Sequence, residues 1–173
     1  MTAGVQIELQ MAIDTTAGVA GQWSVPDTET IQAWADAALR QAGMDQAERQ
    51  MTVRIVDLAE MTQLNQQYRH KTGATNVLSF PFELLPGVPA AAGEDSLGDL
   101  VICAAVVEQE AEQQHKAAVA HWAHMIVHGT LHLLGYDHLT DDEAQQMEMK
   151  EIAILESFGY ANPYDNPNDN PYE

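Results

Sequence analysis

Eleven residues constrain this chain more than any others: His128-Gly-Thr-Leu-His132-Leu-Leu-Gly135-Tyr-Asp-His138. Residues four apart on a helix lie about 40° from eclipsed. His128 and His132 therefore project from one helical face, one turn apart. Gly135 tolerates the left-handed geometry that ends a helix, and a turn there swings His138 back toward the same point. Two imidazoles on a helix and a third from the loop after it can reach one small cation. Three protein ligands leave a coordination position open, which is the catalytic rather than the structural arrangement for zinc. The run thus demands a helix, a stop and a returning loop, and it implies one divalent ion, zinc first.

The run departs from the zinc-protease pattern at one position. That pattern places a glutamate after the first histidine as general base, and this chain has Gly129 there. The ligand spacing matches the longer protease signature while the base is missing, so peptide hydrolysis is disfavoured. A bound metal lowers the pKa of its water from about 15.7 to about 7, which supplies a nucleophile at neutral pH. Asp137, beside a ligand, reads as support for an imidazole or as a turn residue. His124 lies four residues before His128, on the metal face, where it either lines the cleft or supports the site. His121 is displaced around the helix. For both, a buried, hydrogen-bonded histidine is the plainer role.

The 173 residues fit one domain, and 46% hydrophobic content is enough for an ordinary core. The single cysteine, Cys103, excludes an internal disulfide framework and fits a reducing compartment. Within Leu100-Val-Ile-Cys-Ala-Ala it reads as a small buried apolar residue. The amino terminus lacks the pattern of a signal peptide, and no apolar stretch is long enough to span a bilayer. The expected location is the cytoplasm, with no membrane partner. Net charge is −19, from 26 acidic and 7 basic residues. Such a surface repels nucleic acid over much of its area. Arg69 and Lys71 lie close together and Lys116 precedes the histidine-rich helix, so a local basic mouth on an acidic body is one reading. Solvated surface charges are the other, and composition alone leaves the two even.

Apolar periodicity orders the rest. Strands are expected at Val5 to Met11, Met51 to Asp57, Thr75 to Pro81 and Leu97 to Cys103. The stripe Ile31, Trp34, Ala35, Ala38, Leu39 predicts a helix that ends before Gly43. A second helix follows Asp57, which can cap it, from Leu58 to about Tyr68. Residues 83–96 read as a loop. A third helix starts near Ala104, and the metal pair sits on a fourth, from about Ala117 to Leu134. Thr140-Asp-Asp-Glu143 has the form of a capping box for a last helix reaching Phe158 and ending at Gly159. The expectation is an α+β fold with a single mixed sheet of about four strands covered by helices. Residues 1–160 form one metal-dependent hydrolase domain, and residues 161–173, rich in Pro, Asn and Asp, form a disordered tail.

Several segments together resemble one family. They are Asn65-Gln-Gln-Tyr68-Arg69, Thr75-Asn-Val-Leu-Ser-Phe-Pro81, Leu97-Gly98-Asp99-Leu-Val-Ile-Cys103 and the stretch from His121 to His138. These are similar to the YbeY family of bacterial endoribonucleases, also called ribosomal RNA maturation factors. The resemblance implies a zincin-like α+β fold with one zinc on His128, His132 and His138. It implies a single-strand-specific endoribonuclease that matures the 3′ end of small-subunit ribosomal RNA and serves ribosome quality control. Ribosomal RNA, the small subunit and ribosomal proteins would be its partners. Arg69 matches the family's functionally important arginine. Many members have aspartate where this chain has Asn76, so no acid–base role is assigned there. Two other readings stay open: a metal hydrolase of another substrate, and a non-catalytic ribosome assembly factor with a structural metal.

Overall fold

Alternation of apolar and polar residues builds β1, Val5–Ala12, which turns Val5, Ile7 and Leu9 toward the main core. The computed structural model describes residues 4–13, 24–44, 48–82 and 96–164. Helix α1, Thr28–Gln41, begins where the Asp27 carboxylate accepts the Thr30 N–H at 2.8 Å, satisfying one of the donors a helix start leaves unpaired. Its expected stripe, Ile31, Trp34, Ala35, Ala38 and Leu39, is buried. Strand β2, Arg49–Val56, leads into α2, Leu58–Arg69, which Asp57 caps at Glu60 N as its position predicted. Strands β3, Val77–Pro81, and β4, Ser96–Cys103, follow. The expected loop between them lies outside the described residues, apart from Ser96, which belongs to β4. Helices α3, Ala104–Gln113, α4, Ala118–Leu133, and α5, Asp141–Ser157, complete the chain. Thr140 Oγ1 accepts the Glu143 N–H at the start of α5.

The fold is α+β, with one open mixed sheet in the order β1-β2-β4-β3. β1, β2 and β4 are parallel, and β3 pairs antiparallel with β4 at the edge. Parallel neighbours need long crossovers: α1 lies between β1 and β2, and α2 with β3 lies between β2 and β4. The main core fills one face of the sheet, where Leu100 and Ile55 meet Ile31 and Trp34 of α1, Ile126 of α4 and Leu155 of α5. A smaller cluster on the other face joins Met61 of α2 to Val56, Leu78, Val101 and Cys103. Cys103 is fully buried, as its neighbours predicted, and burial pushes its thiol pKa up.

Beyond α5, within the segment expected to be a disordered tail, Pro163 is buried and Tyr164 hydrogen-bonds to side chains of α4 and α5. Residues 165–173 lie outside the described ones.

Candidate metal centre

Helix α4 runs through the middle of the molecule, and every residue from His121 to Leu131 is buried. Its last turns carry His128 and His132, whose Nε2 atoms lie 3.1 Å apart. Two imidazoles at about 2.05 Å from one tetrahedral ion would bring their nitrogens to about 3.3 Å. The helix stops as its glycine predicted. Gly135 takes φ +103°, its N–H reaches His132 O, and Tyr136 N–H reaches Leu131 O, each at 3.0 Å. This left-handed ending satisfies the last carbonyls and returns the chain toward the helix. Asp137 then accepts the backbone N–H of His138 at 2.8 Å, so it shapes the turn. The result is a ring of three imidazoles whose ligand nitrogens all lie within 4.8 Å of one another.

Behind this ring sits a residue that sequence periodicity did not single out. Glu151 of α5 is fully buried and accepts the Nδ1–H of His128 at 2.5 Å. That bond leaves the Nε2 lone pair of His128 aimed into the ring. The Tyr164 hydroxyl donates to the other Glu151 oxygen. His124 Nε2 lies 3.2 Å from the same hydroxyl and 3.7 Å from the carboxylate. His124 therefore lies behind the ring, fully buried, and does not line the cleft. Burial alone would raise the Glu151 carboxyl, but the hydrogen bonds and charge of His124 and His128 outweigh it and hold it well below the usual carboxylate range. Burial and the neighbouring His128 and His138 push His132 down to about 4. It is neutral at pH 7, with a free lone pair for a cation. Burial likewise lowers the pKa of His124. The donor set therefore fits a divalent metal: three imidazole nitrogens, one of them fixed in tautomer by a buried carboxylate.

The ring opens into a cleft of about 580 Å³ lined by His128, His132 and His138, by Asp137, and by Arg69 and Lys71 on the facing wall. That wall is built by the end of α2. His70 takes a left-handed conformation, φ 55°, at the helix C-cap, and Lys71 N–H returns to Asn65 O. The Asn65 amide, buried, donates to Gly73 O at 2.9 Å and pins the loop. Arg69 and Lys71 both line the cleft, while Lys116 is not among its lining residues. Asn76 reaches the cleft but donates its amide to Glu110 at 3.1 Å and accepts its own neighbour's Val77 N–H. Glu110 in turn meets His121 Nε2 at 2.8 Å. Asn76 and His121 therefore tie β3 to α3 and α4.

Gly129, in the position of the protease base, points at the sheet. A Cβ there would lie 2.8 Å from Leu100 Cδ2 and 3.0 Å from Cδ1. A family model described as Endoribonuclease YbeY matches residues 21–159 of the chain. The chain belongs to the YbeY family. It is 53% identical over 152 residues to Endoribonuclease YbeY of Methylococcus capsulatus, covering 88% of this chain and 95% of that relative. The fold is also that of the solution structure of TM1509 from Thermotoga maritima, with a TM-score of 0.51 at 19% identity, over 98% of this chain and 99% of that one. The family's description is that of an endoribonuclease, and the histidine ring is a group that could hold a metal ion.

Proposed function

We propose that this chain is a metal-dependent endoribonuclease that cuts single-stranded ribosomal RNA, acting on the 3′ end of small-subunit RNA and in ribosome quality control. His128, His132 and His138 hold one zinc or another divalent ion, and Arg69 is the catalytic cation. The supporting observation is that Arg69 shares one cleft with the three histidines. A divalent ion held by these three histidines would supply a nucleophilic water at neutral pH and Lewis-acid help at the phosphate. The planar guanidinium of Arg69 grips two phosphate oxygens and stabilises the charge that builds on them. Lys71 adds a second positive charge to the same wall. Neutral His132 keeps its lone pair for the ion, and Glu151 keeps that of His128 aimed at it. The small subunit and ribosomal proteins bring the RNA, in the cytoplasm. Among the described residues no helix is long and apolar enough to cross a membrane. A peptidase reading lacks its base, because residue 129 is packed against the sheet.

The test is elemental analysis paired with cleavage of a defined single-stranded ribosomal RNA. Wild type should carry close to one equivalent of metal and cut; chelated protein should not, and added zinc should restore it. His132→Ala should lose both metal and cleavage. Cleavage that survives full metal removal would overturn the reading. Metal-dependent cleavage of casein with inert RNA would establish a peptidase instead, and tight binding to small subunits with no cleavage of either would establish an assembly factor.

A further inference from the structure

The buried carboxylate behind the histidine ring is supplied from two directions. Helix α5 contributes Glu151, and the segment after that helix contributes the hydroxyl that satisfies it. That segment is anchored before it arrives. Tyr160 packs edge-on against Trp34 with centroids 6.4 Å apart, Pro163 is buried, and Asn162 accepts the Tyr164 N–H at 2.8 Å. The hydrogen bonds then converge on the carboxylate. His124 Nε2–H donates to the Tyr164 oxygen, the Tyr164 hydroxyl donates to one Glu151 oxygen, and the other oxygen takes the Nδ1–H of His128. A carboxylate this deep is costly unless its oxygens find donors and its charge finds a counter-charge. The donors are present. Its contacts include two imidazoles and a phenol.

We infer that Glu151 is a positioning residue for the metal ligand His128, that Tyr164 completes it, and that the metal site therefore extends into the segment beyond the last helix. Glu151 holds the ring of His128 in one tautomer and one orientation and makes Nε2 a stronger donor to a cation. Tyr164 holds Glu151 in turn, and closes the site on the side away from the cleft. Neither side chain touches the RNA side, so both act on the ion's affinity rather than on substrate. The inference rests on the metal reading above.

The experiment measures zinc affinity of the purified full chain by chelator competition, for wild type, Glu151→Gln and Tyr164→Phe. The thermal midpoint of each metal-free protein and the visible spectrum of each cobalt form are recorded alongside. Glu151→Gln keeps the shape and removes the charge, and its affinity should fall about 10–100-fold. Tyr164→Phe removes one hydroxyl and should weaken binding in the same direction, by less, with the metal-free midpoint nearly unchanged. Both cobalt spectra should shift. If Glu151→Gln does not fold, Tyr164→Phe alone decides. Lower metal-free midpoints with wild-type zinc affinity and an unshifted cobalt spectrum would make both residues merely structural and overturn the inference. A wild-type chain that binds no divalent ion would overturn the metal reading, and this inference with it.

Discussion

Gly129 shows how one missing side chain shapes both packing and chemistry. Leu100, which it faces, is fully buried, so any shift of its methyl groups must be taken up by the surrounding core. Overpacking there costs about 1–3 kcal/mol, against about 1 kcal/mol that a helix interior gains when glycine becomes alanine. Gly129→Ala should therefore lose about 1 kcal/mol in denaturant unfolding, and Gly129→Glu, which buries a carboxylate, should lose more than about 3 kcal/mol. Restoring the protease glutamate would break the fold before it made a peptidase. Arg69 is the opposite case: exposed, and facing the cleft. Arg69→Ala should leave metal content intact and stability within about 0.5 kcal/mol, while RNA cleavage falls about 10²–10³-fold. Arg69→Lys should recover only part, since lysine lacks the planar fork. An undiminished rate for purified Arg69→Ala would remove Arg69 from the chemistry. His132 gives a pH signature. Its folded pKa, about 4, lies below the ordinary 6.5, so between those values the unfolded chain binds more protons. Stability of the metal-free protein should be full above pH 6.5 and fall as pH drops toward 4. His132→Ala should flatten that part of the profile in thermal melts; an unaltered profile would show that His132 titrates normally.

At the scale of elements, the cleft depends on how β3 meets β4. Gly98 sits opposite Pro81 with φ +129°, and a Cβ there would come 2.2 Å from Phe80 O and 2.9 Å from Phe82 N. No rotamer relieves a clash with backbone. Gly98→Ala should open the end of that pairing and cost at least about 2 kcal/mol in unfolding free energy. Because Pro81 and Ser79 line the cleft, the same change should slow RNA cleavage without stripping metal from α4. Wild-type stability in that variant would mean that the strand end yields freely. Helix boundaries within a residue or two of expectation came from local chemistry: Asp57 and Thr140 at the starts, Gly135 at the stop. The end of α2 did not. A histidine in left-handed geometry at residue 70 carries no glycine signal, and it is held by the Asn65 amide and the loop it pins.

For the whole molecule, charge governs the encounter with substrate. Net charge is −19 with seven Lys and Arg in all, and two of these stand in the cleft. Affinity for free single-stranded RNA should be weak. Two phosphate contacts give a log–log salt slope of about −1 to −2, measurable by titrating labelled RNA at increasing salt. Small subunits should raise the cleavage rate by raising the local RNA concentration. A slope steeper than about −4 would require a basic surface that the cleft does not have.

What the sequence determined by itself was what depends on neighbours along the chain. The spacing of His128, His132 and Gly135 places two histidines on one helical face and a turn after them, alternation and caps place the four strands and five helices of the described residues, and motif likeness singles out Arg69. Other features depend on residues far apart in the chain meeting in the fold. Glu151 lies 23 residues from His128 and looks like any acid on a polar helix. Tyr164 sits in a stretch whose composition suggests a loose tail, and His124 gives no sign whether it faces the cleft or the core. Their placement follows from α5 packing against α4 and from residues 160–164 returning to both helices. A buried carboxylate is tolerable only where such packing supplies its donors, and no local pattern records that.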